Sequence, residues 1–146
     1  MKSHASGFTL LELMVVLVIM ATMLLVVPRM STGLAGARLR AATAAFADTL
    51  RGLRDQAVRT GKPTGVLLDS ARRSYRETDA SLDKAFPEIV ESIQVDGDTP
   101  VLGGKAVAIR FFPDGSATSA TIFLVHGSRR QIVAIDWLTG RVHSDE

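Results

Sequence analysis

Gly7-Phe8-Thr9-Leu10-Leu11-Glu12-Leu13 opens a run that stays apolar as far as Val27, and the fold turns on how this stretch is read. Phe8 to Val27 is about 20 residues, which as a helix covers roughly 30 Å, the thickness of a bilayer's hydrocarbon. Only Thr9, Glu12 and Thr22 bring polar atoms into it. Its Leu, Val, Ile and Phe residues contribute on the order of −5 kcal/mol on an insertion scale, against about 2.5–3.5 kcal/mol for one central acid. Insertion wins, and the carboxylate is carried along. The expected element is a membrane-spanning helix over residues 8–27.

Glu12 is the residue that a plain anchor does not explain. Near one end of the span its carboxylate can snorkel to the headgroups or take up a proton. The alternative is a cationic partner, the usual reason for an ionisable group inside a membrane. A plain anchor would meet less penalty with Gln or Ser, which favours the partner.

Together with Lys2 in the short segment before it, Gly7-Phe8-Thr9-Leu10-Leu11-Glu12 resembles the processing site of the type IV pilin-like family. The resemblance implies a leader, residues 1–7, cut by a prepilin peptidase between Gly7 and Phe8 on the cytoplasmic face. It also implies N-methylation of Phe8 and an assembly role for Glu12, whose carboxylate would meet the free terminal amine of a neighbouring subunit. The chemistry is coherent, because a buried acid loses several kcal/mol of solvation and an amine on an adjacent helix is the nearest compensation.

The chain has 146 residues, enough behind a membrane helix for one soluble core and too few for two. With no cysteine it can build neither a disulfide framework nor a thiolate metal site. A net charge of +2 is too slight to imply a polyanionic partner. Ordinary signal peptidase is a rival reading, but its apolar region is about 7–15 residues long, and the small triplet Ala35-Gly36-Ala37 lies far beyond the run. Charge counting also dissents on orientation. Lys2 alone precedes the run while Arg29, Arg38 and Arg40 follow it, which would place the large domain inside. The resemblance places that domain in the periplasm.

Pro28 cannot donate to the carbonyl of Leu24, so it should end the membrane helix or kink it, with Gly33 and Gly36 loosening the same region. Helical spacing then resumes in one apolar stripe, Leu39, Ala42, Phe46, Leu50, Leu53 and Ala57. Arg40, Arg51, Arg54, Asp48 and Asp55 take the opposite side as a solvated face, with Arg51 and Asp55 one turn apart. Thr60-Gly61-Lys62-Pro63 is a stop signal. The amphipathic half, residues 28–61, needs a surface to lie on.

Residues 62–146 should supply it. Gly65–Asp69, Ser74–Thr78 and Ile89–Val95 read as short strands, the first two joined by a turn at Ser70–Arg73. Asp79–Pro87 reads as a loop, and Asp96-Gly97-Asp98-Thr99-Pro100 as turn chemistry. Ala106–Phe112, Ser119–Val125 and Gln131–Trp137, separated by Pro113-Asp114-Gly115-Ser116 and His126-Gly127-Ser128-Arg129, read as an antiparallel meander. Thr139-Gly140 leads to a last strand, Arg141–His143. The expected class is α+β, a long N-terminal helix packed on an antiparallel β-sheet domain.

The Phe111-Phe112-Pro113-Asp114-Gly115 turn, the strand Ile132–Asp136 and Thr139-Gly140-Arg141-Val142 are similar to the H-type minor pseudopilins of type II secretion, and also to minor pilins of type IV pili. The fold that this resemblance implies is pilin-like. The first likeness implies an inner-membrane protein with a periplasmic globular domain, assembled near the tip of a pseudopilus with the major pseudopilin and other minor pseudopilins. Its work would be to support export of folded proteins across the outer membrane. The second implies pilus assembly, twitching or DNA uptake, and neighbouring genes would separate the two.

Catalysis has little support. His4, His126 and His143 lack metal-ligand spacing, and Ser116 and Ser128 sit in turns without a nucleophile-elbow pattern. Asp96 and Asp98 bracket a glycine and could touch Ca²⁺, but two ligands make a solvated turn the better reading. Gly33-Leu34-Ala35-Gly36 follows no strand and fails as a nucleotide loop. Asp114 and Gly115 read first as turn residues. No active site, cofactor or metal is expected. For nucleic acid, Arg29 to Lys62 holds seven basic and two acidic residues, and Arg72-Arg73 and Arg129-Arg130 add doublets. The acidic tail Ser144-Asp145-Glu146 and the scarcity of aromatics weigh against direct binding. A membrane-anchored enzyme is the remote third reading, and only a deep pocket lined by convergent acids or histidines would support it.

Overall fold

The computed structural model describes residues 9–97, 101–102 and 106–144, without the side chains of 24–32 and 101–102. Gly7 and Phe8 therefore lie outside the described residues, as do Asp98, Thr99 and Pro100 of the proposed turn. The chain divides into two compact units, 1–35 and 36–146. One helix, α1 (Leu10–Thr60), supplies residues to both.

From Leu10 to Met23 α1 is apolar on all sides but for Glu12 and Thr22, and its large apolar side chains from Leu10 to Met20 stand in the open, from 46% exposed at Val16 to 78% at Leu10. A helix apolar all round is a buried helix without its surroundings. Among the described residues no helix is long and apolar enough to cross a membrane. The described apolar side chains stop at Met23, and Phe8 and the side chains of residues 24–27, which complete the run, lie outside them. Helix continues through position 28, so the expectation that Pro28 ends it is not met.

The second unit has the expected class, α1 packed on antiparallel sheets. All six residues of the stripe, Leu39, Ala42, Phe46, Leu50, Leu53 and Ala57, are buried. The helix stops where the sequence places the stop. Gly61 takes φ +66° and gives its N–H to the Ala57 carbonyl at 3.0 Å, a left-handed cap that a side chain would strain.

Two sheets cover the stripe. The first has strand order β3-β2-β1-β6-β5, built from β1 (Thr64–Asp69), β2 (Ser74–Glu77), β3 (Lys84–Ala85), β5 (Val101–Leu102) and β6 (Ala106–Phe111). The second is β4-β7-β8-β9, built from β4 (Ser92–Asp96), β7 (Ala120–His126), β8 (Arg129–Ile135) and β9 (Val142–Ser144). Every pairing among them is antiparallel. Leu68, Ile109 and Phe111 from one sheet and Ile122, Leu124 and Val133 from the other join the helix stripe in one core. Phe46, Tyr75 and Phe86 form an aromatic triangle inside it, with ring centroids 5.0–5.2 Å apart.

The meander expectation is corrected at its first link. β6 pairs with β1 and β5, whereas β7 pairs with β4 and β8, so the chain changes sheets between them. The turn after β6 does fold back, with Phe111 opposite Ala117 and the Thr118 N–H on the Arg110 carbonyl. Ala117 also donates to the carbonyl of Trp137, in the turn after β8, at 2.8 Å, and beyond Thr118 the chain leaves β6. Of the three strands expected in that meander, the last two do pair, and β7, β8 and β9 run as a meander, as do β1, β2 and β3 in the first sheet.

Smaller corrections share one cause, backbone partners that alternation does not reveal. The Asp79–Pro87 loop contains β3, held by the Phe86 N–H on the Arg73 carbonyl at 2.8 Å. β4 begins at Ser92 and not at Ile89, because the Val90 N–H turns back to Pro87 while the Val90 side chain stays buried. β8 starts at Arg129 and ends at Ile135, since His126 pairs with Arg129 across a two-residue Gly127-Ser128 turn. Gly127 at φ +56° is the glycine-first form suited to such hairpins. The last strand is shifted by one residue, to Val142–Ser144.

Candidate functional site

Three polar residues, Thr9, Glu12 and Thr22, interrupt the apolar run, and the backbone disposes of two. Thr22 folds its hydroxyl onto the Val18 and Ile19 carbonyls at 3.0 and 2.8 Å, which hides it from an apolar medium. Thr9 caps the helix. Its hydroxyl oxygen accepts the Glu12 N–H at 3.3 Å, and its carbonyl accepts the N–H groups of Glu12 and Leu13 at 3.1 and 3.2 Å. Thr9-Leu10-Leu11-Glu12 thus has the spacing of a capping box, with an acid in the first turn where the helix dipole favours it by about 0.3–1 kcal/mol. Reading the stretch for hydropathy alone passes over Thr9, although threonine three residues before glutamate is the signal.

Glu12 is different. Its side chain is exposed on the apolar rod, and among the described residues its carboxylate has neither a hydrogen-bond donor nor a cation. The cap uses the Glu12 backbone N–H, which any residue offers, so it does not account for the carboxylate.

In the second unit the two loops singled out in the sequence meet at Arg54. The Arg54 Nε donates to the Thr139 carbonyl at 3.0 Å, and a Cβ on Gly140 would strike the Gly115 carbonyl and crowd the Arg54 side chain. Gly140 takes φ +59° and Gly115 φ +87°. Arg51 donates to the Val142 carbonyl at 3.2 Å and pairs with Asp48 at 2.7 Å, not with Asp55 as spacing suggests. These two arginines are therefore not a merely solvated face; they fasten the C-terminal strand and its turn to α1.

Asp114 and Asp136 organise those turns. The Ser116 hydroxyl, and after it the Ser116 N–H, bond to Asp114 at 2.6 and 2.9 Å and hold its carboxyl below the ordinary range. For Asp136 the Thr139 N–H comes first and its hydroxyl second, both at 2.8 Å, with the same result. A carboxyl lowered by folding adds stability above its unfolded pKa, near 3.8, and that stability is lost as the pH falls through the lower folded value. Asp136→Asn keeps an acceptor but no longer titrates. Urea unfolding of the full chain in detergent should find wild type ahead of the variant at pH 7 and the gap reduced at about pH 3. An equal gap at both pH values contradicts the assignment.

The remaining candidates fall to structural roles. Asp96 ends β4, Asp98 is outside the described residues, and among the described residues no three acids or histidines gather as a metal site. His126 Nδ1 lies 3.1 Å from a Glu91 carboxylate oxygen without hydrogen-bond alignment, while the other oxygen accepts the Gly127 N–H at 2.8 Å. Ser116 serves its turn through Asp114. The arginine doublets do not make a single patch. Arg72 pairs with Asp69 at 3.8 Å, Arg73 donates to the Val90 carbonyl at 3.1 Å, and Arg130 lies over the Phe123 ring at 4.9 Å.

Comparison with known proteins completes the picture. Residues 42–139 match the family described as type II transport protein GspH, and residues 2–28 match the prokaryotic N-terminal methylation motif. The chain is 33% identical to the type II secretion system protein H of Xanthomonas campestris pv. campestris, over 98% of this chain and 85% of that protein. No solved structure matches it.

Proposed function

The chain belongs to the type II transport protein GspH family, and we propose that it works as a minor pseudopilin of a type II secretion system, supporting export of folded proteins across the outer membrane. It is made with a leader, residues 1–7, and held in the inner membrane by residues 8–27, with the globular part in the periplasm. A prepilin peptidase cuts after Gly7, and Phe8 becomes N-methylated. The subunit then joins the major pseudopilin and other minor pseudopilins near the tip of a short filament, with Pro28 as a kink between the lipid-facing and amphipathic parts of the helix. Its role is mechanical, and no residue is assigned to catalysis.

The observation that carries this reading is the lone carboxylate of Glu12 on an apolar rod whose hydroxyls are already bonded to its own backbone. Moving such a helix from lipid into a bundle of like helices exchanges one apolar setting for another, so little hydrophobic free energy opposes it. What selects the register is the charge, answered by the Phe8 amine of a neighbouring subunit. Mass spectrometry of the mature protein tests the premise. The N-terminus should be Phe8 carrying one added methyl group. A terminus near residue 38 would assign processing to ordinary signal peptidase and overturn the reading.

A further inference from the structure

We propose that Arg40 and Arg129 form a binding site for the phosphate of an anionic lipid headgroup, an inference that rests on the membrane-anchored reading above. Arg129 follows the Gly127-Ser128 turn between β7 and β8 and lays its guanidinium against Gly36 of α1, where a Cβ would collide with it. Arg40, one helical turn on, brings Nη1 to 3.7 Å from the same point. Gly36 is buried and both arginines are exposed. The absence of a side chain at position 36 is what lets two guanidinium groups from different elements converge.

Two cations turned on one point repel, and among the described residues no carboxylate lies within ion-pair distance of either. Arg51, Arg72 and Arg76, by contrast, have Asp48, Asp69 and Asp83. Glu91, the carboxylate at this hairpin, accepts the Gly127 N–H at 2.8 Å. The arrangement calls for an anion from outside the described chain, and two planar forks suit the several oxygens of a phosphate.

Position favours a lipid as the source. Gly36 follows the end of the apolar run, Val27, by about nine residues, a helical rise of about 14 Å and a fully extended reach of about 30 Å. The headgroup layer is about 5–8 Å deep beyond the hydrocarbon, and long arginine side chains reach back toward it. A lipid there also gives a use to Arg40, one of the arginines that charge counting would have kept inside.

The test is a titration of the full chain in zwitterionic micelles with dihexanoylphosphatidylglycerol, dihexanoylphosphatidylcholine or inorganic phosphate, read from the backbone amide signals. Phosphatidylglycerol should give saturable shifts at Gly36, Arg40 and residues 127–129, with phosphatidylcholine about tenfold weaker. Arg40→Gln and Arg129→Gln should each reduce the effect, and the double variant should abolish it. Equal responses to the two lipids, or an undiminished response in the double variant, overturn the proposal. So does binding of inorganic phosphate as tight as that of the lipid, which would make the source a free anion. If Arg129→Glu leaves the lipid titration unchanged but blocks incorporation into filaments, the two arginines serve a neighbouring subunit's carboxylate and the proposal fails. Micelles make the result independent of whether residues 8–27 span a bilayer. Failure of the anchor reading would show separately, as release of the full chain from membranes by alkaline carbonate.

Discussion

Glu12→Ala should leave cleavage and methylation of the precursor intact while incorporation into the filament falls at least about 100-fold, with secretion falling alongside it. The magnitude follows from removing one partner of a desolvated ion pair, which costs about 3–5 kcal/mol because the other charge is left uncompensated. Glu12→Gln separates this account from the simpler one that the structure also supports. Thr9 and residue 12 have the spacing of a capping box, in which glutamine serves as well as glutamate. If capping were the whole role of Glu12, the glutamine variant would assemble like wild type. On the pairing account it fails like the alanine variant, since an amide cannot answer an ammonium with charge. Mass spectrometry of the membrane fraction checks processing, and cross-linking of sheared or overproduced filaments checks incorporation.

The second large effect lies in the globular unit. Phe46 is 2% exposed and touches both Tyr75 and Phe86 with ring centroids 5.0 Å away, so it joins the helix stripe to β2 and to the residue after β3. Phe46→Ala removes the aromatic pairing and leaves a cavity between helix and sheet, together worth about 3–5 kcal/mol. For a unit of this size the melting temperature should fall by about 10–20 °C. Leu82→Ala is the control. At 79% exposed it should change stability by no more than about 0.5 kcal/mol. Matching melting temperatures for wild type and Phe46→Ala would mean that the aromatic triangle does not hold helix to sheet.

Helix signals were legible because they are local. Leu39 through Ala57 keep a three-and-four spacing, Gly61 ends it, and the residues so marked are the ones α1 buries. Turn chemistry was legible for the same reason, as at Gly115 and Gly127. What alternation could not reveal was which sheet a strand joins. β6 and β7 both read as half-buried strands around a hairpin turn, and they part because the Ala117 N–H finds Trp137, a partner twenty residues on. Charge and spacing describe the helix face that carries Arg51 and Arg54, not the carbonyls of Val142 and Thr139 that approach it. At the membrane end hydropathy drew attention to Glu12 and hid Thr9, whose hydroxyl matters through one backbone hydrogen bond.

On the proposed pairing, the charge at position 12 acts only between subunits. The most direct measurement is the distance between the Glu12 carboxylate carbon and the methylated amine nitrogen of Phe8, by carbon–nitrogen recoupling in assembled filaments. Samples mixed from singly labelled subunits ensure that only contacts between subunits are seen. The account predicts a nitrogen within about 4 Å of a carboxylate oxygen across neighbouring subunits. A carboxylate that shows contact only with water or lipid, and no cation at that range, would contradict it.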